Sequence, residues 1–214
     1  MTKPVAREPL RSNARSNRAR ILAAARQELG RNPDVTLEEI ARAAGVVRRT
    51  LFGHFPGRAA LLDALAEEAS EALRGSVARP PGAEETPPRA LARFVLSIWP
   101  VGDRYRLLLA LARQDLGTER VSEILAPARS EATAILERGQ RAGVFHDHLP
   151  AAVLSAALEA LTLSLLESVN TGTWEDDGSS TAVATLVAAG VPEREATAVV
   201  RDVVSEKRAD TSDG

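Results

Sequence analysis

The stretch from Thr36 to Phe55, TLEEIARAAGVVRRTLFGHF, most constrains the fold of this chain. Thr36 and Glu39 have the spacing of a capping box, in which two side chains satisfy backbone N–H groups at a helix start. Gly45 supplies the positive φ that a tight turn after a helix requires. Apolar residues recur at helical spacing on both sides of it: Leu37, Ile40, Ala41, Ala44, Val46 and Leu51. The stretch therefore predicts two short helices joined by a tight turn.

A further amphipathic helix is expected before this pair. Ile21, Leu22, Ala25 and Leu29 form one apolar stripe, Ser16 or Asn17 can cap the helix, and Gly30 can end it. Three helices of this kind make a helix-turn-helix unit, whose second motif helix lies in the DNA major groove. Arg48 and Arg49 stand at the start of that helix, where side chains reach base edges.

The charge is distributed unevenly along the chain. Residues 1–60 hold 12 Lys and Arg against 5 Asp and Glu, a net charge of +7. Residues 61–214 hold 15 against 24, a net charge of −9. Because neutralised phosphates supply most non-specific DNA affinity, a basic end joined to an acidic domain predicts nucleic-acid binding by the N-terminal part.

The rest of the chain shows helical periodicity and no strand alternation, so we expect an all-α protein. A flexible basic arm (1–15) precedes the helix-turn-helix domain (16–57), and a helical effector-binding and dimerisation domain (58–206) precedes a disordered tail (207–214). Within the third segment, prolines and glycines place a linker at 79–88. The expected helices start near Arg58 and then cover 89–99, 103–116, 119–141, 150–170, 180–189 and 193–206. Pro100 and Gly102 are expected to separate the second helix of this set from the third.

The helix predicted over 150–170 is apolar on every face, with Glu159 and Glu167 as its only charges. A helix of this kind must be buried all round. A membrane span is disfavoured because a charge interrupts the apolar run among soluble amphipathic helices. We expect two copies of the chain to pair through this helix, with Leu158 and Leu165 in the contact.

The motif resembles the tetracycline-repressor (TetR) family of bacterial transcription regulators. The similarity covers Ile21–Leu65 and rests on Leu37-x-x-Ile40-Ala41-x-x-Ala44-Gly45-Val46, then Thr50-Leu51-Phe52-x-His54-Phe55-Pro56-x-Arg58-x-x-Leu61-Leu62. The resemblance implies an N-terminal three-helix DNA-binding domain and a C-terminal helical domain that binds a ligand and dimerises. It also implies a homodimer on a palindromic double-stranded operator.

The resemblance assigns DNA contacts to individual residues. Arg48, Arg49 and Thr50 take positions that face bases, and Thr36, His54 and Arg58 take positions that hold phosphates. Val47 and Phe52 also lie on the expected DNA side. The chain departs from the family pattern where Val47 replaces a small polar residue, Phe52 a tyrosine, and Gly53 a larger side chain.

The resemblance also implies an effector cavity. Phe94, Trp99, Tyr105 and Gln114 lie on the two helices that wall the cavity in this family, and Ser164 and Glu167 lie on the apolar helix that closes it. The alternative for each is a place in the core or at the dimer interface. A ligand with an aliphatic part is favoured over flat cationic compounds because the chain holds few aromatic residues.

The observations predict a cytoplasmic DNA-binding regulator with no enzymatic activity, metal or cofactor, and the resemblance implies a repressor released from its operator by a small molecule. A constitutive regulator or an activator without a small ligand is the alternative, and an all-helical enzyme is a further one. Cysteine is absent, and the sequence contains no glycine-rich phosphate loop or nucleophile elbow. His146-Asp147-His148 is interpreted as a solvated turn rather than a metal site.

Overall fold

The computed structural model describes residues 8–78, 85–115 and 117–212, and within these ranges the chain forms helices and no strands. In chain order the helices are α1 (Glu8–Leu29), α2 (Leu37–Ala43), α3 (Arg48–His54), α4 (Arg58–Val77), α5 (Pro87–Asp115), α6 (Gly117–Arg141), α7 (Ala151–Asn170), α8 (Ser179–Ala188) and α9 (Glu193–Ser212). This confirms the predicted all-α fold.

The chain divides into two compact units. The N-terminal unit extends to Glu68 and includes Leu107–Ser122, and the second unit contains Ala69–Arg106 and the chain from Glu123 onward. Helix α4, which begins at the predicted boundary, contributes residues to both units. Within the N-terminal unit, Glu68 of α4 pairs with Arg26, and Arg120 pairs with two other α4 carboxylates, Asp63 and Glu67.

The N-terminal unit is built on the predicted apolar stripe. Ile21, Leu22, Ala25 and Leu29 of α1 are all buried, as are Ile40 and Ala41 of α2 and Leu51 of α3. Helix α1 begins at Glu8 rather than at a cap on Ser16 or Asn17, so residues 8–15 of the predicted flexible arm are helical. Pro9 is compatible with this longer helix because first-turn N–H groups have no intrahelical partner. Residues 1–7 of that arm lie outside the described residues.

The core of the second unit gathers apolar residues from α5, α6, α7, α8 and α9. Among its members are Leu91, Val95, Leu136, Leu154 and Leu186. Helix α9 continues to Ser212, so residues 207–212 of the predicted disordered tail are helical. The predicted linker over 79–88 is shortened, because Pro87 already begins α5.

Helix α5 runs unbroken through Pro100, which corrects the expected break into two helices. A proline inside a helix removes the bond to the carbonyl four residues earlier, here that of Leu96. Lys207 of α9 donates a hydrogen bond to this Leu96 oxygen at 3.4 Å. The carbonyl that Pro100 cannot bond therefore has a partner from another helix.

Helix α7 has a buried side and an exposed side within one protomer. Leu154, Ser155 and Leu158 are buried, whereas Val153 is 51% exposed. Leu158 thus packs in the protomer's own core, which corrects its expected place at the contact between two copies. The helix is long and apolar enough to cross a membrane by length and composition alone, and only 22% of its most apolar stretch is buried inside the chain.

Glu159 is neutralised inside the protomer. Its carboxylate accepts two hydrogen bonds of 2.9 Å from the guanidinium of Arg129 on α6. This bidentate pair raises the pKa of Arg129, chiefly through the hydrogen bond to Glu159. One of the two charges on α7 therefore joins it to α6 in the bundle.

Candidate nucleic-acid interface

The start of α2 has the predicted capping box. The Thr36 hydroxyl accepts from the Glu39 N–H at 3.3 Å, and the Glu39 carboxylate accepts from the Thr36 N–H at 2.8 Å and the Thr36 hydroxyl at 2.7 Å. These bonds from Thr36, backbone first, hold the pKa of Glu39 below its ordinary value. Because Glu39 already accepts both Thr36 donors, a phosphate at Thr36 would have to displace this carboxylate.

The turn between α2 and α3 is secured from outside the motif. Gly45 has φ +63°, as predicted for the turn, and Arg20 of α1 donates from Nη2 to the carbonyls of Ala44 at 2.6 Å and Gly45 at 2.9 Å. A Cβ at position 45 would lie 2.9 Å from that nitrogen. Arg20 is a functional residue that sequence reasoning missed, since nothing in its neighbourhood distinguishes it from the other arginines of α1.

Arg58 has an intramolecular role at the start of α4. Its guanidinium donates to the carbonyl of Val35 at 3.0 Å and to that of Pro33. These two carbonyls lie immediately before the Thr36 cap of α2. The side chain that the resemblance places on a phosphate is therefore also a brace that fixes the entry to the helix-turn-helix.

The N-terminal end of α3 is exposed, while its middle is anchored in the core. Leu51 is fully buried, and Val47, the residue before the helix, is 69% exposed. Arg48 and Arg49 are exposed, and Thr50 and Phe52 are half-buried. An anchored helix whose first turn is exposed and basic can present these side chains to base edges in a major groove.

The two arginines of α3 differ in their surroundings. The Arg48 guanidinium lies 3.1 Å from the carboxylate of Glu38 on α2 and 5.1 Å from the centre of the Phe52 ring. Within the described residues, Arg49 makes no ion pair. Arg49 is thus free to meet a base, whereas Arg48 must exchange Glu38 for one. Glu38 is a second residue that sequence reasoning missed.

The other end of α3 carries His54. Its ring is half-buried and lies 6.3 Å from the ring of Phe55, over which the guanidinium of Arg18 stands at 5.4 Å. Arg18 of α1 and His54 of α3 therefore both lie next to Phe55. Two groups that can carry positive charge on neighbouring helices suit a sugar–phosphate backbone.

Five of the six residues proposed to contact an effector lie in the second unit, in differing surroundings, whereas Gln114 belongs to the N-terminal unit. Trp99 is buried against Gly178 and donates from its indole nitrogen to the Asp176 carbonyl at 3.3 Å, and Tyr105 is also buried. Ser164 and Glu167 are exposed on α7, and the side chain of Gln114 lies outside the described part. Phe94 lines a cleft in this unit.

The His146-Asp147-His148 turn forms a stacked pair. The rings of His146 and His148 have centroids 3.8 Å apart, and His146 Nε2 lies 2.9 Å from the carbonyl oxygen of Ala188. Over the residues that the structure describes, no three metal-ligating side chains come together. One imidazole nitrogen thus joins the turn to the end of α8.

A core-anchored helix-turn-helix with an exposed basic helix start, followed by a separate helical unit, defines a helix-turn-helix DNA-binding protein. Residues 21–65 match the family of bacterial regulatory proteins, tetR family. This match confirms the resemblance over the helix-turn-helix and the start of α4.

Solved structures of the family share the fold along the chain. A tetR-family regulatory protein from Rhodococcus RHA1 superposes with a TM-score of 0.67 at 20% identity, covering 82% of this chain and 98% of that one. CprB from S. coelicolor A3(2) gives a TM-score of 0.72 at 20% identity, with 91% and 99% covered. The fatty acid degradation regulator FadR from Bacillus halodurans gives 0.68 at 16% identity, with 81% and 95% covered. No curated protein matches the chain significantly by sequence.

Proposed function

We propose that this DNA-binding regulator is a homodimeric repressor that leaves a palindromic operator when a small molecule binds its second unit. The observation that carries the DNA-binding part is the exposed first turn of α3, with Val47, Arg48 and Arg49 outward and Leu51 in the core. Selection of bound sequences from random duplexes, followed by fluorescence anisotropy, tests this part. An enriched inverted repeat is expected, and equal binding of all duplexes would contradict the proposal.

Residues at the start of α3 make the contacts with bases. Arginine pairs with guanine through two parallel hydrogen bonds, and an exposed apolar side chain such as Val47 contacts a thymine methyl group. Thr50 and Phe52 flank these contacts. Thr36, His54 and Arg58 hold phosphates, with Arg58 also bracing the motif.

The dimer forms on the exposed face of α7 with the neighbouring α8. This face is made of small apolar side chains, among them Ala152, Val153, Ala156, Ala157 and Ala160 of α7 and Val187 of α8. Small residues let two helices approach closely, and a large exposed apolar face marks an interaction site. Two copies related by a two-fold axis cover it with the same surface from each side.

Sedimentation of a matched pair of variants tests the dimer. Val153→Arg places a charge on the exposed face of α7 without entering the protomer's core, and we expect it to sediment as a folded monomer. Val144→Arg, at a residue 41% exposed outside α7 and α8, is the control and is expected to remain dimeric. A wild-type monomer at micromolar concentration would contradict the interface.

Repression is tested by the response of the operator complex to ligand. A ligand that prefers the DNA-free conformation by about 3 kcal/mol weakens operator binding roughly 150-fold, and operator weakens ligand binding by the same factor. A reporter gene behind the operator should be silent until the ligand is added. Reporter expression that none of the tested ligands changes would favour a constitutive regulator. Expression that increases when more of the protein is produced would favour an activator.

The proposed setting is the cytoplasm, where the operator DNA lies. No catalytic role, metal or cofactor is assigned to the chain.

A further inference from the structure

A cleft of about 340 Å³ lies in the second unit, a volume within the range of small-molecule sites. The end of α4, the first part of α5, the middle of α6 and the C-terminal part of α9 contribute to its walls. Apolar contacts come from Val77, Ala90, Phe94, Ile135 and Val203. The cleft also carries six charged side chains: Glu85, Arg89, Arg93, Glu131, Glu206 and Lys207.

The two arginines of the cleft are paired with acids of very different exposure. Arg93 pairs with Glu85, whose side chain is only 10% exposed, whereas Arg89 pairs with Glu206, whose side chain is 63% exposed. Displacing Glu85 would leave a carboxylate without its partner in a poorly hydrated place, which is costly. Displacing Glu206 returns it to water at little cost, because exposed ion pairs contribute little. Of the two arginines, Arg89 is therefore the one that can exchange its partner at little cost.

We propose that the cleft binds an amphipathic monocarboxylate, whose carboxylate replaces Glu206 on Arg89 and whose apolar part lies against Phe94 and Ile135. Lys207 follows Glu206 on α9 and lines the same cleft, so its positive charge adds to that of Arg89 although its ammonium donates to the Leu96 carbonyl. Arginine binds a carboxylate through two parallel hydrogen bonds, which makes the exchange geometrically specific. The inference rests on the proposed function, for which this ligand class would be the effector.

Glu131 restricts the ligand to a single negative charge. It lies on α6 one turn before Ile135, and its half-buried carboxylate lines the same cleft. A second carboxylate at the far end of the ligand would be buried in a cleft that already holds this acid, and like charges repel more strongly away from water. The cleft therefore discriminates between a monoacid and a diacid of equal length.

Isothermal titration calorimetry of the full chain with sodium octanoate tests the site. Octanoate should bind at about 1 mM or tighter. Arg89→Gln should weaken binding by about tenfold or more, since a hydrogen bond to a charged group is lost. Glu206→Gln should tighten it by up to about fivefold, because the competing acid is removed. Arg201→Gln, an exposed arginine of α9 outside the cleft, is the matched control and should change nothing.

The opposite effects of Arg89→Gln and Glu206→Gln on octanoate affinity distinguish a binding site from a structural ion pair. If only the loss of the ion pair mattered, both variants would change the affinity in the same direction. Suberate, the diacid of the same length, should bind at least fivefold more weakly than octanoate, and Glu131→Gln should remove that difference. Absence of octanoate binding, equal binding of octanamide, or equal affinities of Arg89→Gln and wild type would each overturn the inference.

Operator binding measured in the same samples separates the site from the proposed function. Octanoate binding with the expected signs but no change in operator affinity would confirm the site and contradict its role as the effector site. Release of operator by another ligand, with no octanoate binding, would overturn the site and leave the proposed function intact.

Discussion

The ammonium group of Lys207 donates to the carbonyl oxygen of Leu96, which precedes Pro100 by four residues along α5. The two residues are 111 positions apart in the chain. Because Pro100 has no N–H, Leu96 would otherwise lose its intrahelical partner. A lysine on α9 thereby supports an uninterrupted helix across a proline.

Lys207→Met should destabilise the protein by about 0.5–1.5 kcal/mol, the usual contribution of one hydrogen bond. In the Pro100→Ala background the same change should cost close to nothing, because residue 100 then donates to Leu96 itself. A double-mutant cycle by chemical denaturation measures this coupling. Equal losses in the two backgrounds would show that Lys207 acts through other contacts.

The arginines of α3 should respond differently to substitution. Arg49→Ala should relax base preference at one operator position by about 1–3 kcal/mol, as for the loss of a bidentate base contact. Arg48→Ala should cost less, because Arg48 must first leave Glu38. Glu38→Gln should therefore tighten operator binding. Fluorescence anisotropy with the selected operator and with random DNA measures the affinities of all three variants. Weaker operator binding by Glu38→Gln than by the wild type would contradict the assignment.

Two glycines in helices should respond oppositely to alanine. A Cβ on Gly53 of α3 meets no atom within 4 Å, whereas one on Gly139 of α6 would lie 1.9 Å from the buried ring of Phe145. Gly53→Ala should raise stability by up to about 1 kcal/mol through helix propensity. Gly139→Ala should lower it by about 1–3 kcal/mol through overpacking. Thermal denaturation of both variants checks the two signs.

The capping box predicts a pH dependence. The pKa of Glu39 is lowered below 4.5 in the folded protein, so its ionised form is favoured by folding. This contribution is fully present above pH 4.5 and is lost as the pH falls through the lowered pKa. Thr36→Val removes the hydroxyl donor but keeps the backbone N–H, so it should return the pKa of Glu39 only part of the way to its ordinary value. The loss of stability at acidic pH should become correspondingly shallower. NMR titration of the Glu39 carboxyl carbon measures the shift directly, and an unchanged pKa would contradict the cause.

The helix-turn-helix could be predicted from the sequence because its signals are local. Thr36 and Glu39 are three residues apart, and Gly45 marks its turn by itself. The continuity of α5 could not be predicted, since the partner of Leu96 comes from α9. The start of α1 at Glu8 was also missed, because Ser16 and Asn17 have the chemistry of helix caps although the helix continues through them.

Arg48 and Arg49 could be proposed as DNA-facing from the sequence because they stand at the start of a short amphipathic helix, whereas the other candidates came from the resemblance. The competing contacts of those residues were not predictable. Glu38 pairs with Arg48 across two helices, and Arg58 reaches backbone carbonyls 23 and 25 residues away. Such partners depend on how the helices pack, which residue spacing along the chain does not determine.

The arginines that brace the motif have a consequence for the ionic atmosphere of the DNA. Arg20 donates to the peptide carbonyls of Ala44 and Gly45, and Arg26 pairs with Glu68. A cation displaces a condensed counterion only where it neutralises a phosphate. The number of counterions released on operator binding should therefore be well below the number of basic residues in the first sixty positions. Several of those arginines instead stabilise the folded helix-turn-helix.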